Sequence, residues 1–262
     1  MCTLAAFINA SERYPLLIAA NRDEYYDRPT GPPTVVDGGA VLIAGRDLRA
    51  QGTWLGVRCR RDDFLVAGLL NRKLHEGAVC SAWPRSRGEL CLTALRHKSV
   101  AAVRRGLAAL EPEDYAPFNL FVADTSEAIV IDNRDGFRET VLEPGLSILT
   151  NSDLNDPRCP RLAGAFPKFE ATQSLLRDGY GLDRILASLV ETLSDHETPA
   201  NPGGTGPLSR LCVHTDSYGT RSCSVIVRGP GEATRFFHAE GPPCESSLAE
   251  ITVPRHHFSG TR

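Results

Sequence analysis

The first 24 residues read MCTLAAFINASERYPLLIAANRDE and contain two short apolar runs with a polar segment between them. The runs cover residues 3–8 and 16–21, and the segment at residues 9–15 has the composition of a turn. Two apolar runs joined in this way predict an antiparallel β-hairpin at the N-terminus. The hairpin would place Arg22, Asp23 and Glu24, which follow the second run, beside Cys2.

Blocks of short strands and blocks of paired helices alternate along the rest of the chain. The apolar patterns predict further strands at residues 40–44, 53–59, 64–70, 120–123, 128–132, 139–142, 147–150, 211–214, 223–228 and 234–238. They predict helices from Ser86 onward and at residues 100–110, 162–176 and 183–193, with Pro167 as a candidate break in the third. Such blocks do not fit a parallel sheet of βαβ units, so we expect an α+β fold of antiparallel sheets with helices on their outer faces.

Local signals refine this picture at two places. Ser86 and Glu89 have the spacing of a capping box at the start of the first helix. Residues 198–206 are rich in Pro and Gly and are expected to form a mobile loop. Because no segment is long enough to read as a linker between two halves, residues 1–262 are predicted to form one domain.

The composition argues against several classes of protein. The 29 basic and 32 acidic residues are scattered and give a net charge of -3, so nucleic acid is not an expected partner. No apolar run approaches the ~20 residues that span a bilayer, and the N-terminus lacks the pattern of a signal peptide. We therefore expect a cytoplasmic protein that does not span a membrane.

Cysteine and histidine residues are spread widely along the chain. The eight cysteines form no Cys-x-x-Cys pair, so we expect reduced thiols rather than a disulfide framework or a zinc site. The histidines show no ligand spacing either, and no metal site is predicted from them. They are His75, His97, His196, His214 and His238, with His256 and His257 in the C-terminal tail.

Cys2 is the leading candidate for a catalytic group, because the common catalytic motifs are absent from the sequence. Removal of Met1 would leave Cys2 with both a thiol and a free α-amine. An α-amine titrates near ~7.7 to 8.0 and a thiol near ~8.5, so one residue would supply a nucleophile and a base suited to neutral pH. The alternative is that Cys2 is a small apolar residue at the start of an edge strand.

Arg22 and Asp23 are the charged residues that the predicted hairpin brings to Cys2. An arginine at this place would favour the thiolate over the thiol. An aspartate could hold the α-amine through a charge-assisted hydrogen bond. The alternative is that these residues form a solvated strand end without a role in catalysis.

Several motifs taken together resemble one protein family over most of the chain. The motifs are Met1-Cys2, residues 20–25 (ANRDEY) followed by Arg28-Pro29, residues 45–47 (GRD), residues 52–56 (GTWLG) and residues 218–222 (YGTRS). In combination they resemble the NRDE-motif family, also called the transport and Golgi organisation 2 family. The resemblance implies a four-layer αββα sandwich like that of the N-terminal nucleophile hydrolases, with antiparallel sheets flanked by helices.

The resemblance also implies roles for individual residues, since this fold includes cysteine enzymes such as choloylglycine hydrolases and penicillin V acylases. Cys2 would be the nucleophile, with Arg22 and Asp23 beside it. Asn71 is similar to the asparagine that lends its amide to the oxyanion hole, and Asn151 to the one that orients the α-amine. Each asparagine could instead close a turn after a strand.

A further arginine of that pattern has two candidates here, Arg210 and Arg221. Arg221 is favoured because residues 219–222 have the form found in the family. The alternative for Arg221 is a place in a surface strand.

Two kinds of function follow from the resemblance. The first is a hydrolase that cleaves an amide or thioester of a small acyl substrate and requires no cofactor. The second is suggested by the links of the family to Golgi organisation and secretion, to lipid and acyl-CoA metabolism and to haem mobilisation. Under it the protein would be a non-enzymatic carrier of haem or an acyl lipid, or a trafficking factor, although the sequence has no haem-attachment motif.

Overall fold

The structure is a computed structural model and describes residues 2–37, 40–60, 63–73, 83–197, 206–229 and 234–251. The strands are β1 (Thr3–Ile8), β2 (Leu16–Tyr25), β3 (Thr30–Asp37), β4 (Val41–Asp47), β5 (Leu55–Arg60), β6 (Asp63–Asn71), β7 (Phe118–Ala123), β8 (Ala128–Asp132), β9 (Arg138–Val141), β10 (Gly145–Leu149), β11 (Tyr218–Arg228), β12 (Thr234–Ala239) and β13 (Ala249–Ile251). The α-helices are α1 (Arg87–Arg96), α2 (Val100–Leu107), α3 (Pro160–Arg177) and α4 (Leu182–Leu193). Within these described ranges, two antiparallel sheets and four α-helices confirm the predicted α+β class.

The chain divides into two compact units, each containing one sheet and two helices. The first unit comprises Met1–Asp27 and Glu143–Ile251, and the second comprises Arg28–Leu142 and Thr252–Arg262. The expectation of one domain over residues 1–262 stays a prediction.

The first unit is built on the predicted N-terminal hairpin. Strands β1 and β2 pair antiparallel from Thr3↔Asn21 to Ile8↔Leu16, which confirms the hairpin and its turn. They lie inside a six-stranded sheet with the order β10-β1-β2-β11-β12-β13. Helices α3 and α4 pack on one face of this sheet, where Phe7 of β1 meets Phe169 of α3 with ring centroids 6.3 Å apart.

Helix α3 is continuous through Pro167, so the predicted break is wrong. A proline inside a helix removes one backbone hydrogen bond and costs ~3 kcal/mol. The opposing term is burial: Leu162, Ala165 and Phe169 lie in the core between α3 and the sheet. Fully burying a side chain such as Leu or Phe contributes ~1.5–3 kcal/mol, so a few of them offset the cost.

The second unit is a meander in which seven strands follow chain order, β3-β4-β5-β6-β7-β8-β9. Helices α1 and α2 pack on it through an apolar core that includes Leu65 and Leu120 of the sheet and Leu95 and Val103 of the helices. Gly52 and Gly88 allow a close backbone approach here, with the Thr53 amide donating to the Gly88 carbonyl at 3.1 Å.

Four sequence expectations differ from the structure in ways that have local causes. The sequence does not predict strand β3, because Pro32 and Pro33 interrupt its pattern; β3 is an edge strand, and its register shifts between Gly31 and Thr34. Strand β13 has only three residues, which is too short for a pattern. Residues 211–214 were predicted as a strand but make only the isolated bridge His214↔Gly219.

The fourth difference concerns the first helix. Ser86 is the N-cap of α1, but its side chain makes no capping hydrogen bond in the described structure. Glu89 instead pairs with Arg85 at 2.8 Å, so the predicted capping box is wrong.

None of the helices in the described ranges combines the length and apolar character that a membrane crossing requires. Most of the predicted loop at residues 198–206 lies outside the described residues, as do His75, His256 and His257.

Candidate active site

The alternation of side chains along β1 and β2 decides which groups share a face of the first sheet. Ala5 and Phe7 belong to the core under α3 and α4, so Thr3 also lies on this helix-bearing face. Cys2 has the opposite parity and lies on the other face. On β2, Asn21 and Asp23 share the parity of Ala19, which is in the same core, and Arg22 therefore lies on the face of Cys2.

The thiol of Cys2 contacts the backbone of the neighbouring strand. Cys2 is partly buried, and its Sγ donates to the Asp23 carbonyl oxygen at 3.7 Å. Burial raises the pKa of this thiol, and the negative charge of Asp23 acts in the same direction. With the thiol in this environment, the protonated form prevails at neutral pH, so attack on a substrate requires a base.

Arg22 is buried on the same face of the sheet as Cys2. Its side chain is 5% exposed and lies 3.7 Å from the Glu24 carboxylate. The Arg22 charge lowers the pKa of Cys2, which is the direction expected from the sequence, but burial of the thiol outweighs it. Residues 21–24 lie within β2 and not after it, because this strand continues to Tyr25.

Asp23 directs its carboxylate to the helix-bearing face and its carbonyl to Cys2. The carboxylate is fully buried and accepts from Arg161 Nη1 at 2.8 Å and from Thr220 Oγ1 at 2.7 Å. The carbonyl accepts from Tyr218 Oη at 3.0 Å as well as from Cys2. The group of Asp23 that contacts the Cys2 thiol is thus its backbone carbonyl. The role of the Asp23 carboxylate toward an α-amine stays a prediction.

Arg161 and Thr220 are the two residues of this network that the sequence did not indicate. Arg161, near the start of α3, also donates to Thr3 Oγ1 at 3.1 Å and to the Leu208 carbonyl at 2.8 Å. It is 138 positions from Asp23 in the chain, so no local pattern could connect them. Thr220 lies in the YGTRS motif at residues 218–222, which by itself predicts a role only for Arg221.

Asn151 lies at the same end of the sheet as Cys2. Strand β10 pairs with β1 through Leu4↔Leu149, and Asn151 follows β10 by two residues while Cys2 precedes β1 by one. Asn151 is buried, with 8% of its surface exposed. The topology thus brings Asn151 to the end of the ladder where Cys2 lies, and its role in orienting an α-amine stays a prediction.

The remaining predicted residues are Asn71, Arg221 and Arg210. Asn71 is the exposed last residue of β6 in the second unit, where it pairs with Phe118 of β7. Arg221 lies at a register shift in β11 and donates to the carbonyls of Tyr25 and Tyr26 at 2.9 and 2.8 Å. Arg210 follows a short 3-10 helix at Pro207–Ser209. The roles proposed for these side chains stay predictions.

A second cluster in the first unit contains residues that can bind a metal ion. It consists of His196, Cys212, His214 and Cys244, with one donor atom from each residue within 4.8 Å of all the others. The sequence pattern does not predict a metal site here, because these four residues are dispersed along 49 positions. Only the short segment Cys212-Val213-His214 could have indicated it.

Comparison with known proteins identifies the family. Residues 1–239 match the family model described as transport and Golgi organisation 2. A Homo sapiens transport and Golgi organization protein 2 homolog is 29% identical over an alignment of 234 residues, and the match covers 82% of this chain and 82% of the relative. The Bos taurus homolog is 29% identical over 237 residues, with the same coverage.

A solved structure shows the same fold at low sequence identity. The Caenorhabditis elegans ortholog of N-acylethanolamine-hydrolyzing acid amidase superposes with a TM-score of 0.55 and 16% identity, covering 97% of this chain and 100% of that chain. At this identity the similarity shows the fold alone, and it agrees with the expected N-terminal nucleophile hydrolase-like fold. The chain therefore belongs to the transport and Golgi organisation 2 family.

Proposed function

We propose that this protein is an N-terminal cysteine hydrolase that cleaves an amide or thioester bond of a small acyl substrate. The observation that carries the proposal is the position of the Cys2 thiol, which contacts the Asp23 carbonyl at 3.7 Å on the sheet face shared with Arg22. The family and the fold are compatible with this chemistry, but they do not define a substrate.

The proposed reaction begins after removal of Met1. The α-amine of Cys2 accepts the thiol proton, directly or through a water molecule, and the sulfur attacks the acyl carbonyl carbon. The tetrahedral intermediate collapses to a thioester on Cys2, and the departing amine or thiol takes the proton. Water then attacks the thioester, releasing the acid and restoring the thiol.

The surrounding residues support these steps in different ways. The Asp23 carbonyl accepts a hydrogen bond from the Cys2 thiol and positions the sulfur before attack. The Arg22 charge stabilises the thiolate as it forms, which opposes the raised pKa of Cys2. We assign Asn151 to the α-amine as part of the proposal, and the role of Asn71 as an oxyanion donor stays a prediction.

The first experiment is intact mass spectrometry with N-terminal sequencing, before and after brief treatment with a short-chain acyl thioester. The expected result is loss of Met1 and addition of one acyl group on Cys2. Acylation should be absent in Cys2→Ala and unchanged in Cys159→Ala, a control cysteine that is also partly buried.

Retention of Met1 together with an unmodified Cys2 would exclude the hydrolase. In that case, the alternative of a carrier for haem or an acyl lipid becomes the working hypothesis. It is tested by the visible absorbance of the purified protein and by lipid extraction.

A further inference from the structure

The cluster of His196, Cys212, His214 and Cys244 gathers four ligand-type side chains from three segments of the first unit. His196 follows α4, Cys212 and His214 precede β11, and Cys244 follows β12. One donor atom of each lies within 4.8 Å of the other three. Two thiols and two imidazoles form the Cys₂His₂ ligand set typical of structural zinc sites.

The distances within the cluster resemble those of a tetrahedral site. Cys212 Sγ lies 3.6 Å from Cys244 Sγ, and His214 Nε2 lies 3.6 Å from Cys212 Sγ and 3.3 Å from Cys244 Sγ. Zinc bonds of about 2.3 Å to sulfur and about 2.05 Å to nitrogen, at tetrahedral angles, give about 3.8 Å between two sulfurs and about 3.6 Å between sulfur and nitrogen. The three observed distances agree with these values to within about 0.3 Å.

The orientation of His196 is a separate observation that points to a ligand. Its Nδ1 lies 3.2 Å from the Cys212 carbonyl oxygen, which can only accept a hydrogen bond. Donation from Nδ1 leaves the lone pair on Nε2. Histidine ligands to metals usually donate their other ring N–H to a carbonyl or carboxylate in this way.

Backbone hydrogen bonds fix the conformation of the three segments that carry the ligands, without an ion. The Cys212 amide donates to the Asp195 carbonyl at 2.9 Å, which joins the segment after α4 to the one before β11. His214 forms an isolated bridge with Gly219. Cys244 lies in a turn in which the amides of Glu245 and Ser246 donate to the Pro242 carbonyl. The donors are thus positioned in advance.

We propose that His196, Cys212, His214 and Cys244 bind one Zn²⁺ ion as a structural site. On binding, the two thiols release two protons to solvent and four metal–ligand bonds form, with neutral imidazoles contributing lone pairs. Soft thiolates and imidazoles together favour Zn²⁺ over the hard cations Mg²⁺ and Ca²⁺. With four protein ligands the ion has no open position, which is typical of a structural rather than a catalytic zinc.

The site would fix a segment that also supports the environment of Cys2. The Val213 amide, between two of the ligands, donates to Thr220 Oγ1 at 2.9 Å, and Thr220 in turn donates to the Asp23 carboxylate. This connection is structural and does not depend on the proposed hydrolase activity.

The test is zinc binding by the reduced full-length protein after metal removal, with ZnCl₂ as the only added ligand and a chromophoric chelator as competitor. We expect one zinc per chain, and Co²⁺ in its place should give the near-ultraviolet charge-transfer absorption of metal thiolates. Cys244→Ser and His196→Gln replace exposed ligands and are expected to leave the circular dichroism spectrum unchanged. Loss of a hydrogen-bond partner behind a metal ligand typically lowers metal affinity by about 10- to 100-fold. Each of these variants removes a ligand itself, so we expect a larger loss of zinc affinity.

Matched controls are Cys159→Ser and His97→Gln, which lie outside the cluster and should bind zinc as the wild type does. Failure of the reduced wild type to bind zinc overturns the proposal, as does equal affinity in Cys244→Ser and His196→Gln. A Cys212–Cys244 disulfide in the protein as isolated is a third result that would overturn the proposal. It would lower the intact mass by the mass of two hydrogen atoms and would prevent alkylation of both cysteines. None of these three outcomes bears on acylation of Cys2.

Discussion

Replacement of Arg161 by Met is expected to destabilise the first unit strongly, because it leaves the Asp23 carboxylate buried without its cation. The Arg161 side chain is 3% exposed, Asp23 is fully buried, and their N–O distance is 2.8 Å. Two unit charges about 4 Å apart interact by about 4 kcal/mol at an effective dielectric constant near 20. Removing one partner of a buried pair typically costs about 3–5 kcal/mol, and we expect a loss in this range for Arg161→Met.

Additional hydrogen bonds of Arg161 are lost in the same variant. The guanidinium also bonds to Thr3 Oγ1 and to the Leu208 carbonyl, so part of the measured loss is not the ion pair itself. A double-mutant cycle with Asp23→Asn separates these contributions. We expect the double variant to lose less stability than the sum of the two single variants, because no uncompensated charge stays buried.

The assay is urea unfolding at pH 7 followed by far-ultraviolet circular dichroism. Fluorescence is less suitable because both tryptophans, Trp54 and Trp83, belong to the second unit. Arg158→Met is the control, since Arg158 is an exposed residue nearby that pairs with Asp156; it should leave the unfolding curve unchanged. A loss below about 1 kcal/mol for Arg161→Met would refute the reasoning.

Three further predictions concern other parts of the protein. Burial lowers the pKa of His238 to about 4, below the ~6.5 of an unfolded chain. As the pH falls from about 6.5 to 4, the unfolded state therefore binds a proton that the folded state does not. The free energy of unfolding should therefore fall by up to about 3 kcal/mol over this pH range. In His238→Asn, urea unfolding at pH 7 and at pH 4.5 should show that most of this pH dependence is lost. Gly52→Ala places a Cβ 2.5 Å from the Gly88 backbone carbon and should lower the free energy of unfolding by about 1–3 kcal/mol. Gly181→Ala is the control, because nothing lies within 4 Å of its new Cβ, and it should leave the melting temperature nearly unchanged. Once the acyl assay has yielded a substrate, Asn71→Ala should lower turnover by ~10² to 10³, as expected for one oxyanion donor; an unchanged turnover would remove Asn71 from the proposed mechanism.

The N-terminal hairpin and the α+β class could be predicted from the sequence because both depend on local patterns. The apolar runs of β1 and β2 and the turn between them lie within 25 residues, and the structure pairs them as the predicted antiparallel hairpin. The same proximity in the chain placed Arg22 and Asp23 beside Cys2. Strands without an apolar pattern, such as β3 with its two prolines, could not be found in this way.

Only the tertiary structure decided which distant side chains meet. The partner of Asp23 is Arg161, and the candidate zinc ligands lie between positions 196 and 244, so in both cases the contact depends on how separate elements pack. Because side chains alternate between the two faces of β2, the Asp23 carboxylate also lies on the helix-bearing face, and the Asp23 carbonyl contacts the Cys2 thiol. The sequence by itself determined most of the elements, the class and the candidate nucleophile, since these follow from periodicity and neighbouring residues. The charge and metal-ligand networks required three dimensions, because side chains with no sequence relation become neighbours only when sheet and helices enclose a common core.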